Sequence, residues 1–262
     1  MKMIFFLRCF SFLFFILLLS CSGKQEDLTG FAVIPGNADS RINSMITEKP
    51  KQHGNFICAY SEKATLSEII DSLSGAGCSK IIIRGEALAV SGYSPAVNAV
   101  IIDPPPGICG FKFDAEYALK CAGEFYKKKF KDNRYALILP DNDEFRIIAD
   151  KYFKECRNAV FLKNDYGSFD AFELENALSR LQGIKLIIHY SGYSSERIKS
   201  FCSENGIYSA SVFSDLETDS TNLFSAEKDY VFAGEYAFNY NHGNESVVMP
   251  SGCVKLREYS GK

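Results

Sequence analysis

From Phe31 onward the chain repeats one grammar: a short apolar run, a turn, an amphipathic stretch, a Gly or polar break, then another apolar run. Strands alternating with helices in this way build parallel sheets covered by helices on both faces. The apolar runs are Phe31–Ile34, Asn55–Tyr60, Lys80–Ile83 and Ala99–Ile102 in the first half. Tyr135–Leu139, Ala159–Leu162, Ile184–Ile188 and Ile207–Phe213 follow in the second. Between them, Leu66, Ile69, Ile70 and Leu73 fall at i, i+3, i+4 and i+7, which predicts one buried helix face. Gly75-Ala-Gly77 ends that helix. Further helices are expected over about 38–47, 115–130, 143–156, 169–181 and 195–204, the second of them with Asp114 as N-cap and a basic end at Lys127-Lys128-Lys129. The stretch from Arg84 to Pro95 reads as a loop. After Asp215 the grammar thins: Tyr230–Ala233 reads as a strand, Glu235–Asn239 is ambiguous, and Val247–Met249 with Cys253–Leu256 reads as a hairpin across Pro250-Ser-Gly252.

The arithmetic favours two lobes over one sheet. Asp103-Pro-Pro-Pro-Gly107 breaks the chain between the two sets of strands. The expected fold class is α/β with two lobes, each a parallel sheet flanked by helices. The expected boundaries are residues 31–110 for the N-terminal lobe, completed by about 229–262, and 111–228 for the C-terminal lobe.

The first twenty residues stand apart. Lys2 and Arg8 form a basic start, and Cys9–Leu19 is apolar except for Ser11. That is the pattern of a secretory signal, and the apolar run is shorter than the ~20 residues a bilayer span needs. Leu18-Leu19-Ser20-Cys21 resembles the bacterial lipoprotein signal, an apolar residue three before a cysteine and a small residue just before it. The resemblance implies that residues 1–20 are removed and that Cys21 is lipidated, with residues 21–30 as a polar tether. Several acyl chains, at ~0.8 kcal/mol per buried methylene, would hold the protein on a membrane of the cell envelope, facing the periplasm or the outside.

Composition excludes some classes. Twenty-nine basic residues face thirty-two acidic ones, and no long basic stretch occurs, so no nucleic-acid partner is expected. The three histidines, His53, His189 and His242, share no metal-ligand spacing, and neither a metal nor another cofactor is expected. Beyond Cys9 and Cys21, the cysteines are Cys58, Cys78, Cys109, Cys121, Cys156, Cys202 and Cys253, an odd set with no C-x-x-C. Most are expected to be core thiols, with one disulfide left open. There is no G-x-S-x-G elbow around Ser194 or Ser195. Gly75-Ala-Gly77 precedes a strand and is no phosphate loop. The chain is not expected to be an enzyme.

Three segments carry a wider resemblance: Leu73-Ser-Gly-Ala-Gly-Cys-Ser-Lys-Ile-Ile-Ile83, Val100–Asp103 with Phe111-Lys-Phe-Asp114, and the strands Arg134–Leu139 and Gly183–Ile188. Their order resembles the type I periplasmic-binding-protein fold, the scaffold of sugar-binding proteins, basic membrane lipoproteins and the sensor domains of lactose-repressor-like regulators. The resemblance implies capture of a small polar solute, of sugar or nucleoside class, in an interlobe cleft for an ABC permease. The alternative is an envelope lipoprotein with a degenerate cleft that binds a protein partner; a short chain and the absence of a marked pocket signature favour it.

In open α/β sheets, ligands bind outside the carboxyl ends of the strands. That rule nominates Asn37, Ser61, Arg84, Glu86 and Asp103 from the first lobe, and Asp141, Asn142, Asn164, Asp165, His189, Tyr190 and Asp215 from the second. Each has a plainer reading beside it. Asp103 can cap a turn, Asp141-Asn142-Asp143 can be a helix N-cap, Arg84 can pair with Glu86, and His189 can be a satisfied edge histidine.

Overall fold

The computed structural model describes residues 27–33, 40–60, 64–91, 99–105, 107–132, 134–165, 168–214, 216–241, 243 and 245–260. Cys21, Asn37, Ser61 and Asp215 lie outside the described residues, as do the signal segment and most of the tether.

The first sheet is built from β1 (Leu28–Val33), β2 (Phe56–Tyr60), β3 (Cys78–Arg84), β4 (Ala99–Ile102), β5 (Phe111–Lys112) and β13 (Val247–Val248), in the order β13-β5-β4-β3-β1-β2. Every pairing in it is parallel. The second contains β6 (Tyr135–Pro140), β7 (Asn158–Leu162), β10 (Leu186–Tyr190), β11 (Tyr208–Val212), β12 (Asn222–Lys228) and β14 (Val254–Glu258), in the order β14-β12-β11-β10-β6-β7. It is parallel except for β14, which runs antiparallel to β12. Asn164–Asp165 (β8) and Ser168–Phe169 (β9) form a separate two-stranded ribbon. The chain is therefore α/β with two mainly parallel sheets flanked by helices.

The helices are α1 (Ser40–Glu48), α2 (Leu66–Gly75), α3 (Gly85–Ser91), α4 (Ala115–Lys129), α5 (Asp143–Tyr152), α6 (Ala171–Ser179), α7 (Ser195–Asn205) and α8 (Tyr230–Asn239). Their starts follow from local side chains. Thr65 and Glu68 form a reciprocal capping box on α2. Asp114 accepts from the Tyr117 N–H at α4, and Asn142 from the Phe145 N–H at α5. Gly206, at φ +63°, ends α7 in the left-handed conformation that glycine adopts without a Cβ clash.

Burial explains the strands. Ile81–Ile83 and Leu186–Ile188 are fully buried because helices cover both faces of each sheet. One core cluster joins the lobes. It runs from Phe31, Ile82 and Ile102 through Phe111, Phe113 and Ala115 to Leu137, Leu139 and Ile188, with Ala233, Met249 and Cys253 in contact.

Several expectations need correction. β1 starts at Leu28, inside the stretch read as tether, because Leu28 and Thr29 already pair with Cys78 and Lys80. The segment after Arg84 is helical, not a loop. Tyr230–Asn239 is one helix, not a strand, because Asp229 caps it by accepting from Val231 and Phe232 N–H. β13 and β14 do not pair as a hairpin: β13 adds to the first sheet and β14 to the second, so the described residues after 229 divide between the lobes. β12 was not foreseen at all, because Asn222, Ser225 and Glu227 break its apolar pattern. Asn222 is instead held by neighbours: Ser209 Oγ donates to Asn222 Oδ1 at 3.0 Å, and Asn222 Nδ2 to Ser211 Oγ at 3.0 Å.

Helix α8 docks on the first lobe beside α1. A Cβ on Gly234 would lie 1.9 Å from the Ile46 carbonyl oxygen, so only glycine permits this approach. At the far end of α8, Lys80 Nζ donates to the carbonyls of Phe238 (2.6 Å), Tyr240 (3.2 Å) and Ala237 (3.3 Å), where the helix leaves acceptors unpaired.

Among the described residues all seven cysteines, Cys58 to Cys253, are free thiols. Cys78, Cys202 and Cys253 are buried as expected for core thiols, whereas Cys58 is exposed, because it sits on β2 at the sheet edge.

Candidate functional site

Both sheets direct their carboxyl ends to one place. β4 ends at Ile102, and Asp103 follows it in the left-handed region at φ 58°. β12 ends at Lys228, whose ammonium forms an ion pair with the Asp103 carboxylate across the two lobes. Beyond the end of β11, Phe213 also has a positive φ, 53°. Among the described residues Asp103 and Phe213 are the two non-glycine positions with positive φ, and both touch Lys228. A bulky residue held there is costly and persists where the surroundings over-determine it, a condition common at binding sites.

Aromatic rings close around the pair. The Lys228 ammonium lies 5.5 Å from the Phe113 ring centre and 5.6 Å from that of Phe213, within range of a cation–π attraction. Phe113 meets Phe213 at 5.8 Å and Tyr230 at 5.3 Å, both edge to face. Tyr190, the last residue of β10, meets Phe213 at 5.6 Å and Phe145 at 4.6 Å. Burial would push the Lys228 ammonium down, but Asp103, Tyr230 and Tyr190 reverse this and hold it well above the usual lysine range. Burial pushes the Tyr190 phenol up to about 12, with Lys228 opposing and Asp103 assisting. Burial likewise raises Tyr230. The cluster therefore carries a cation, ion-paired with Asp103, and two neutral phenols at neutral pH.

The turn after β3 presses on this cluster. A Cβ on Gly85 would stand 1.8 Å from the Asp103 carbonyl oxygen, so glycine is what lets the β3–α3 turn seat against Asp103. On either side of Gly85, Arg84 is buried and ion-paired with Glu86, and its Nη1 donates to Asn43 Oδ1 at 3.1 Å. Arg84 and Glu86 both act on Tyr230 through space.

The nominated residues thus separate. Asp103 and Tyr190 enter the cluster, and Arg84 with Glu86 stands at its first-lobe side. Asp141 is engaged locally by Arg146, at 2.6 Å, and Asn142 caps α5. Asn164 lies in the β8–β9 ribbon.

His189 points elsewhere. It is fully buried, on the central strand β10 between β6 and β11, and its Nε2 has no hydrogen-bond partner among the described residues, so the reading as a satisfied edge histidine is corrected. Its Nδ1 shares a hydrogen bond with Ser191 Oγ at 2.6 Å, and Ser191 Oγ another with Ser195 Oγ at 2.9 Å. Ser195 Oγ donates to the Gly192 carbonyl at 2.6 Å. Burial drives the imidazole pKa down to about 3, so the ring is neutral.

Lys228, Phe113, Phe213 and Tyr230 were missed. The strand-end rule would have found Lys228 and Phe213 had β12 and the turn after β11 been placed. Phe113 lay within the quoted Phe111–Asp114 segment but was not assigned to the site. Among the described residues, no group of three His, Cys, Asp or Glu side chains is arranged to hold a metal ion, and no helix is long and apolar enough to cross a membrane.

No family model matches the sequence, and no curated protein matches it. Solved structures do. A transcriptional activator of the comK gene from Bacillus halodurans aligns with a TM-score of 0.59 at 16% identity, covering 89% of this chain and 90% of that one. A periplasmic binding protein/LacI transcriptional regulator from Alkaliphilus metalliredigens QYMF, complexed with D-xylulofuranose, aligns at 0.50 and 14%, covering 89% and 98%. The periplasmic binding protein component of the arabinose ABC transporter from Shewanella sp. ANA-3, bound to α- and β-L-arabinofuranose, aligns at 0.51 and 12%, covering 87% and 91%. These neighbours are binding proteins and regulators. With two mainly parallel sheets linked by several crossings and meeting at their strand carboxyl ends, the chain has the type I periplasmic-binding-protein fold.

Proposed function

We propose that the chain is a non-enzymatic solute-binding lipoprotein that takes a small, ring-shaped polar solute, a sugar or nucleoside, between its two lobes. The observation that carries the proposal is the convergence of Asp103 from the first sheet and Lys228 from the second within the rings of Phe113, Phe213, Tyr190 and Tyr230. Aromatic faces suit the apolar face of a sugar or a base, while carboxylate, ammonium and neutral phenols suit hydroxyls and base edges. Arg84 and Glu86, paired with each other, lie on the first-lobe side. The sugar-bound neighbours support the same class. The lipobox-like Leu18–Cys21 supports an anchor through lipidated Cys21 in a bacterial cell envelope, from which an ABC permease would receive the solute.

The test is a thermal-shift series of pentoses, hexoses and nucleosides on the purified protein. The expected result is a melting rise that grows with solute concentration and is lost in both Asp103→Asn and Lys228→Met. If no solute of these classes stabilises the wild type, the solute reading fails and a protein partner takes its place.

A further inference from the structure

We infer that two copies of this chain pair through β2, edge to edge and antiparallel, about a two-fold axis at Cys58. β2 is the outer strand of the first sheet, bonded on one side to β1. The Thr29 N–H donates to the Asn55 carbonyl at 2.9 Å, which turns the main chain of Asn55, and by alternation that of Ile57 and Ala59, toward β1. The peptide groups of Phe56, Cys58 and Tyr60 therefore face outward.

An outward edge invites another strand unless something blunts it. The edges at β14 and β13 are blunted. β14 carries exposed Lys255, Arg257 and Glu258. β13 has two residues. β7, Asn158–Leu162, is uncharged, with the Arg146 guanidinium 4.6 Å from the Phe161 ring centre, but it carries no cysteine at its middle. β2, Phe-Ile-Cys-Ala-Tyr, has five residues, no charge and no proline. Cys58 is exposed and Tyr60 is 57% exposed.

The strand is also complementary to itself. Placed antiparallel on a second copy with Cys58 opposite Cys58, its outward residues meet in three pairs: Phe56 with Tyr60, Cys58 with Cys58, and Tyr60 with Phe56. Each is a hydrogen-bonded pair that exchanges two N–H···O bonds, with Cα atoms ~5.5 Å apart. Aromatic pairs flank the centre on the same face, an arrangement that stabilises cross-strand contacts. The central separation falls within the ~4.4–6.8 Å that a disulfide spans, so the two thiols can be oxidised to one bond, two electrons and two protons passing to an added oxidant. Partial desolvation raises the Cys58 thiol pKa, so it is protonated at neutral pH and reacts slowly until the oxidant is added.

Light scattering on the full-length protein in detergent, with and without copper–phenanthroline, tests this. A doubled protein mass and a disulfide dimer mapped to Cys58 are expected. Cys58→Ser should keep the doubled mass and lose the covalent dimer. Cys58→Lys, which sets two ammonium groups opposite each other at an exposed site, should give a monomer with unchanged circular dichroism. A monomeric wild type, a cross-link through another cysteine, or a dimer that persists in Cys58→Lys would overturn the inference.

Discussion

Mild acid tests the buried histidine, because the expected effect is large and isolated. His189 is neutral when folded, with its pKa near 3, against 6.5 when unfolded. Between those values the unfolded chain binds one proton that the folded chain does not. Stability is therefore full above about pH 6.5 and falls as pH drops, by ~1.4 kcal/mol per unit well below it. From pH 7 to pH 5 the loss is ~2 kcal/mol. The carboxylates with lowered pKa values, Glu68, Glu116, Asp132 and Asp219, lie outside this window, since their share is lost only as pH falls below the unfolded carboxylate range of ~4. Urea unfolding followed by circular dichroism at pH 7, 6 and 5 reads the difference directly. His189→Asn keeps an amide group where Nδ1 meets Ser191 but does not titrate, and should remove most of the pH dependence. A wild type equally stable at pH 5 and pH 7, or a His189→Asn protein with the full wild-type slope, would refute the argument.

Two substitutions probe the crossing into α8. Gly234→Ala gains up to ~1 kcal/mol of helix propensity, but sets a Cβ 1.9 Å from the Ile46 carbonyl oxygen, against backbone that cannot swing away. Overpacking of ~1–3 kcal/mol or more should prevail, and a lowered urea midpoint checks it. Asp229→Ala removes the cap that accepts from Val231 and Phe232 N–H, both at 3.1 Å, and should cost ~1–2 kcal/mol. Asp229→Asn should recover most of that in the same assay.

What the sequence made legible follows from burial. Ile81–Ile83, Leu137–Leu139 and Leu186–Ile188 are covered on both faces, so they appear as unbroken apolar runs and give the α/β order directly. Tyr230–Asn239 deceived because Tyr-Val-Phe favours strands locally, whereas the Asp229 cap and the close seat of Gly234 on α1 decide for helix. β12 was hidden because its buried positions include Asn222 and Ser225; Asn222 is held by hydrogen bonds from the neighbouring strand β11, which a periodicity does not register. The site was half legible for the same reason. Asp103 and Tyr190 followed from the ends of recognised strands. Lys228 ended an unrecognised one, and Phe213 entered through a left-handed turn that its residue type does not advertise.

Native mass spectrometry of the protein, purified gently from cells that make it, tests the central claim most directly. The account predicts one small, non-covalent solute of sugar or nucleoside mass per protein chain, absent from Lys228→Met. A wild type that retains nothing, and takes up none of these solutes when they are added, would contradict it.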